Sequence, residues 1–239
     1  MNISLPAEFA AARDWLTTLG DPDDVSVVPG NHDAYVRMDH KIGLGLWHEF
    51  MQPDMAHGID HPRTASGFPY IRIRGMVALV GLSTAVPSRP FIASGRLDRT
   101  QLDALPVILR ALRERALFRV ILIHHPPLPG MASRYRGLVD AEALVPLLQS
   151  EGAELVLYGH NHDQAVHFLD TRTGRTPVVG VPSASVALAE RKPLARYNLF
   201  RIGGDAEAGW SCQLIGRGLP PRGAGGSPVT ELERLTLSE

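Results

Sequence analysis

The chain has 239 residues, 44% of them hydrophobic and 21% charged, which suits one large globular domain or two small ones. A formal net charge of −1 excludes a global field that would gather nucleic acid or an anionic membrane, so any recognition of anions must be local. The one cysteine, Cys212, excludes a disulfide framework and a thiolate zinc centre, and leaves ten histidines as donors for transition metals.

In chain order, residues 5–19 are predicted as an amphipathic helix. Phe9, Ala12, Leu16 and Leu19 recur at helical spacing, Pro6 suits the first turn and Gly20 the end. Val25 to Val28 reads as a short buried strand running into Pro29-Gly30-Asn31-His32-Asp33. A helix is expected over 41–51 and a polar loop over 54–67, followed by a hairpin of strands 69–74 and 76–83 turning at Gly75. Asp98 and Gln101 resemble a capping box that opens a helix through Leu102, Leu105, Leu109 and Leu112. Pro106 predicts a kink there or a later start. A buried strand over 118–123 ends at His124-His125-Pro126-Pro127, a helix follows over 140–150, and a strand over 155–158 ends at Gly159-His160-Asn161-His162. Further strands are expected over 164–169, 177–181, 196–202 and 210–216. One domain over 1–217 is the simplest reading, with a flexible tail over 218–239 that is rich in glycine and proline up to Pro228. No apolar run reaches the roughly 18 residues of a spanning helix. The first six residues lack the regions of a signal peptide, so a cytoplasmic location without a membrane partner is expected.

Helices alternating with short apolar strands predict a layered α/β fold, in which ligand sites gather where strands end. Three strand ends carry metal-type side chains. Gly30 permits a sharp turn, Asn31 offers a carbonyl oxygen, His32 is placed to exchange protons, and Asp33 is placed to hold the His32 ring. His160 and His162, two apart, would face one side of an extended segment. Of His124 and His125, adjacent and so divergent, one is expected to ligate and the other to support it. Singly, each motif is an ordinary turn or loop; their occurrence at three strand ends is what points to a metal site. His40, His48 and His167 read as surface or packing residues, His57 and His61 as loop residues with substrate contact as the alternative, and Arg134 and Arg136 as solvated charge with a phosphate contact as the alternative. Trp15, Trp47 and Trp210 read as core residues. There is no Gly-x-Ser-x-Gly elbow, which disfavours a serine hydrolase; Ser183 and Ser185 lie in Val-Pro-Ser-Ala-Ser.

The segments Val28–Asp33, Ile121–Pro127 and Tyr158–His162 resemble the last three motifs of the calcineurin-like metallophosphoesterases, with the flavour of bacterial class III cyclic nucleotide phosphodiesterases and glycerophosphodiesterases. The resemblance implies a four-layer α/β/β/α double β-sandwich and a site of two divalent metals, Mn, Fe or Zn. It implies that Asn31, His124 and His160 bind one metal, that His162 belongs to the other, and that His32 protonates the leaving group of a small phosphoester. No nucleic acid polymer is expected as a partner. The family opens with Asp-x-His and Gly-Asp-x-x-Asp, whose first aspartate bridges the metals. The chain reads as lacking both, so the fold is expected to be N-terminally incomplete. Asp21, Asp23 and Asp24, at the far end of the Asn-His strand, cannot replace the bridge. The remaining donors would hold at most one weakly bound ion, and impaired catalysis is expected.

Overall fold

The computed structural model describes residues 3–54, 58–89, 91–186, 193–220 and 228–238. Helix α1 (Pro6–Leu19) opens the chain, and two 3-10 turns follow, His40–Ile42 and Leu44–Met51. Strands β1 (Tyr70–Arg74) and β2 (Val77–Gly81) form a hairpin around Gly75, whose left-handed φ of 59° suits the two-residue turn. Two βαβ units then run through α2 (Arg99–Glu114), β3 (Phe118–Ile123), α3 (Ala141–Glu151) and β4 (Leu155–Tyr158). A second hairpin, β5 (Ala165–Thr171) and β6 (Gly174–Gly180), completes a six-stranded sheet in the order β1-β2-β3-β4-β6-β5. Strands β2, β3, β4 and β6 are parallel neighbours. A separate antiparallel sheet holds β7 (Arg196–Asp205), β8 (Gly209–Gly218) and β9 (Thr230–Ser238).

The pleat sorts each central strand between two cores. Ala78, Val80, Ile121, Ile123 and Val156 face Leu105, Ile108 and Leu112 of α2 and Leu144 and Leu148 of α3. Their neighbours Leu79, Phe118, Val120 and Leu155 face Cys212, Leu214 and Leu237 of the second sheet. The result is the α/β sandwich that the resemblance implies, as helices, sheet, sheet; the outer helical layer of the four-layer α/β/β/α arrangement is not present among the described residues. Helix α1 packs beside the β1 end, through Phe9 and Leu16 against Trp47, Phe50 and Tyr70. Among the described residues no helix is long and apolar enough to cross a membrane.

Several local expectations need correction. Val25–Val28 is not a strand, because side chains rather than a neighbouring ladder meet its backbone. Buried Arg72 donates to the Val25 and Pro22 carbonyls, and Tyr70 donates its hydroxyl to Val27 O at 2.9 Å. Residues 41–51 form 3-10 turns, since Gly43 and Gly45 disfavour a continuous α-helix. Helix α2 starts directly after Asp98 despite Pro106, its buried face outweighing the lost backbone bond. Only half of the capping box forms: Asp98 accepts from Gln101 N at 2.9 Å, while the Gln101 amide clamps the Ser83 backbone through two bonds of 2.8 and 2.9 Å. Trp15 is exposed, not core. The expected tail over 218–239 is wrong for Thr230–Ser238, which alternate as a strand and pair with β8.

Candidate metal centre

Parallel strands β3 and β4 end side by side, and the Gly159 N–H donates to His124 O at 3.0 Å. The Asn-His segment reaches the same edge through one 3-10 turn, Asn31–Asp33, which is closed when the Asp33 carboxylate accepts the Gly30 N–H at 2.7 Å. Asp33, expected to hold the His32 ring, is thus seen holding the turn that presents Asn31. A Cβ on Gly30 would stand 2.5 Å from the His124 ring, so only glycine lets the turn approach this closely.

Three donor atoms meet there. His124 Nε2 lies 3.0 Å from Asn31 Oδ1, His160 Nδ1 lies 3.1 Å from the same oxygen, and the two nitrogens are 3.3 Å apart. The Asn31 amide nitrogen donates to Tyr35 Oη at 2.5 Å, which turns its oxygen toward the histidines. Donors about 2.1 Å from one ion stand about 3.0 Å apart at right angles and about 3.4 Å apart in a tetrahedron, so this triangle fits a single divalent ion. His160 Nε2, on the other side of its ring, is buried without a hydrogen-bond partner. Burial, then the neighbouring His125 and His160, holds His124 well below the ordinary imidazole range. Burial, then His125 and Arg136, lowers His160 to about 3. Both rings are therefore neutral at pH 7 and have lone pairs to give to a cation.

His125 is the supporting member of the pair. Its Nε2–H donates to the Ala93 carbonyl at 3.1 Å, and the Thr84 hydroxyl donates to its Nδ1 at 2.7 Å. Both nitrogens of the fully buried ring are engaged in hydrogen bonds, although its ring atoms cluster with those of His124 and His160. Burial lowers its pKa to about 4. The ring lies 4.5 Å from His160 and 4.9 Å from His124, centroid to centroid, and so fixes both. Gly95 packs on its far side, where a Cβ would come within 2.2 Å.

A cavity of about 410 Å³ opens over the triangle, lined also by His32, His162, Asp163, Tyr35 and Arg136. His162 is on the wall but outside the close donor group. The reason expected for its convergence with His160 does not hold: both residues adopt left-handed backbone, φ 66° and 60°, so the segment is not extended. The His32 ring sits edge-on to Tyr35 at 4.8 Å. His61 lies elsewhere, buried with both ring nitrogens on the Ile59 and Pro69 carbonyls, and His57 lies outside the described residues. Tyr35, Thr84 and Ala93 carried no signal in the sequence. Arg136, read there as solvated, faces the cavity.

The expectation that Gly-Asp-x-x-Asp is absent also needs correction, since Gly20-Asp21-Pro22-Asp23-Asp24 has that spacing. It does not build the site, however. Its carbonyls at Pro22 and Asp23 take the guanidinium groups of Arg72 and Arg74, and Arg74 pairs with Val77 at the start of β2, the opposite end from the histidines. Asp163 is the one carboxylate lining the cavity among the described residues.

Comparison with known families matches the chain over residues 6–164 to the family described as calcineurin-like phosphoesterase. No curated protein matches the chain.

Proposed function

Because the chain belongs to the calcineurin-like phosphoesterase family, whose members are metal-dependent phosphoester hydrolases, we propose that its site binds a divalent transition metal and hydrolyses a small phosphodiester. The observation that carries this reading is the triangle of Asn31 Oδ1, His124 Nε2 and His160 Nδ1, with edges of 3.0 to 3.3 Å between neutral or uncharged donors. These three hold the ion, Mn, Fe or Zn. When bound, such an ion polarises a phosphoryl oxygen and makes a coordinated water more acidic.

The remaining steps fall to the chain's own residues. Tyr35 keeps the Asn31 oxygen aimed inward, and His125 locks the two ligand rings. His32, on the cavity wall, gives a proton to the departing alkoxide, and Asp33 holds the turn that carries it. His162 and Asp163 face the same space and are the donors available to a second ion. A cavity of about 410 Å³ and a chain of net charge −1 favour a small ester over a nucleic acid polymer.

A second reading has its own support. The close donor group contains no carboxylate. Two divalent ions about 4 Å apart repel strongly without an anion between them. On this reading the chain holds one ion and binds phosphoesters with impaired or no turnover. Metal analysis, together with hydrolysis of bis(p-nitrophenyl) phosphate, separates the two. Turnover that disappears with chelator and with His160→Ala supports the hydrolase. Bound metal without turnover supports the binding module, and folded protein that retains no metal overturns both.

A further inference from the structure

A second cavity, of about 500 Å³, adjoins the metal cavity and shares three of its wall residues, Tyr35, Ala93 and Arg136. Its other walls are Ile3, Val36, Phe91 and Ile92, with Ser88 and Arg89 as their polar members. Three of these, Ile3, Val36 and Phe91, are large apolar side chains left exposed, 52%, 56% and 102%, beside a polar site. Phe91 is held there by a left-handed backbone, φ 67°, which a bulky residue adopts only at a cost in free energy.

The shared wall is built rather than incidental. Ala93 N donates to Tyr135 O at 2.8 Å, Gly95 N to Gly137 O at 3.2 Å, and Val139 N to Gly95 O at 2.9 Å. This short ladder locks the segment after Ile92 to the segment around Arg136. It also carries Ala93, whose carbonyl holds His125. Arg136 thus stands at the junction, with the metal donors on one side and an apolar hollow on the other. It bears a cation where a phosphoryl oxygen would sit between the two. A pocket that is largely apolar with positive charge at its edge, here Arg136 and Arg89, recognises an apolar group attached to an anion.

We propose that the second cavity is the subsite for the ester substituent, and that the preferred substrates carry a ring-sized apolar group next to the phosphoryl centre, with Arg136 gripping the phosphate at the junction. This deepens the proposed function and rests on it.

The test is binding to the metal-loaded protein, measured by calorimetry with methylphosphonate and phenylphosphonate. These share the anionic head and differ in the apolar group. Phenylphosphonate is expected to bind at least tenfold more tightly. Val36→Asp and Ile92→Asp should each bring that ratio close to one. Because the ratio is read within one protein, a variant that weakens the whole site does not imitate the effect. Arg136→Ala should weaken both probes while leaving the ratio above one. Equal affinities in the wild-type chain overturn the subsite and leave the metal reading standing. Binding of neither probe overturns both. A ratio that survives both aspartate variants places the apolar contact elsewhere and overturns the assignment of this cavity.

Discussion

Strand β3 begins and ends in two very different polar clusters. At its start Arg119, 1% exposed, spends its guanidinium fully: two bonds to the Glu154 carboxylate at 2.7 and 2.9 Å, and one each to the Leu109 and Glu151 carbonyls. Glu151 in turn meets Arg110 and Arg113. At the strand's other end, His124 and His160 share one amide oxygen, and a ring nitrogen of His160 has no partner. The unpartnered atom, Nε2, lies on the far side of the ring from the donor triangle, so this end is marked by the crowding of Asn31 Oδ1, His124 Nε2 and His160 Nδ1 within 3.0 to 3.3 Å. One end of the strand reads as a fastening and the other as the proposed receptor for a cation.

The contrast makes its largest prediction at the fastened end. Arg119→Met removes the guanidinium from the Glu154 carboxylate, which keeps the backbone N–H of residue 119 alone, and takes one donor each from the Leu109 and Glu151 carbonyls. Breaking a buried pair on one side costs about 3–5 kcal/mol, which urea denaturation would show. Arg119→Met with Glu154→Leu should recover much of that loss. If the single variant is as stable as the parent, the cluster is not a fastening.

The second prediction reverses the pattern. His160→Asn keeps a residue that tolerates φ near 66° and removes a donor from the triangle. Divalent metal affinity should fall about 100-fold, given that changes outside the ligand set already cost about 10–100-fold. Stability of the metal-free chain should move by less than about 1 kcal/mol. A large loss of stability with unchanged metal affinity would make the histidines structural and erase the distinction between the two ends.

Between these sits Thr84→Val, which joins both behaviours in one residue. It leaves His125 Nδ1 buried without its donor, at a cost of about 1–3 kcal/mol. It also loosens the ring that fixes His124 and His160, so metal affinity should fall about tenfold. Thr84→Ser keeps the hydroxyl and should restore both.

The two ends were not equally legible in the sequence. His124 and His160 were readable because each follows an apolar strand, and the topology of parallel strands brings such ends together. The same ground marks Asn31, but its apolar run is not a strand, and a 3-10 turn brings it to the same edge. That the two adjacent rings diverge was readable from the sequence; which of them is the ligand was not, and the resemblance assigns His124. The partners of His125, Thr84 and Ala93, lie about forty and thirty residues away in loops, where no periodicity marks them. The Arg119–Glu154 cluster was invisible for a related reason: an arginine inside a run of strand residues gives no hint of the carboxylate that awaits it across the fold. Thr230–Ser238 was missed because Glu231, Glu233 and Arg234 make the strand look solvated. Its apolar alternates, Leu235 and Leu237, find their core only when β8 is beside them. Val25–Val28 failed in the opposite direction, an apolar run whose backbone is held by Arg72 and Tyr70 side chains in place of a ladder.

The last prediction is a pair of acid windows, one for each end. In the metal-free fold His125 and His160 titrate near 4 and 3, and His124 is held well below its ordinary 6.5. The unfolded chain binds protons on these rings below about 6.5 while the folded chain does not, so stability is full above that pH and falls as pH drops toward 4. The slope is at most about 1.4 kcal/mol per pH unit for each ring. Glu151 has a pKa lowered from 4.5, chiefly by its hydrogen bond to Arg110. Its contribution is present above 4.5 and is lost only as pH falls below that value. Urea midpoints of the metal-free protein from pH 8 to 3 should therefore decline in two stages. His160→Asn should flatten the first stage, and Glu151→Gln the second. A bound ion, which competes with protons for the lone pairs of the folded ligand rings, should raise stability, leave the onset near 6.5 that the unfolded chain sets, and extend the first stage to lower pH. A decline that begins only below pH 4.5, with or without metal, would mean that the histidines are not held neutral, and the receptor end of β3 would lose its chemical distinction from the fastened one.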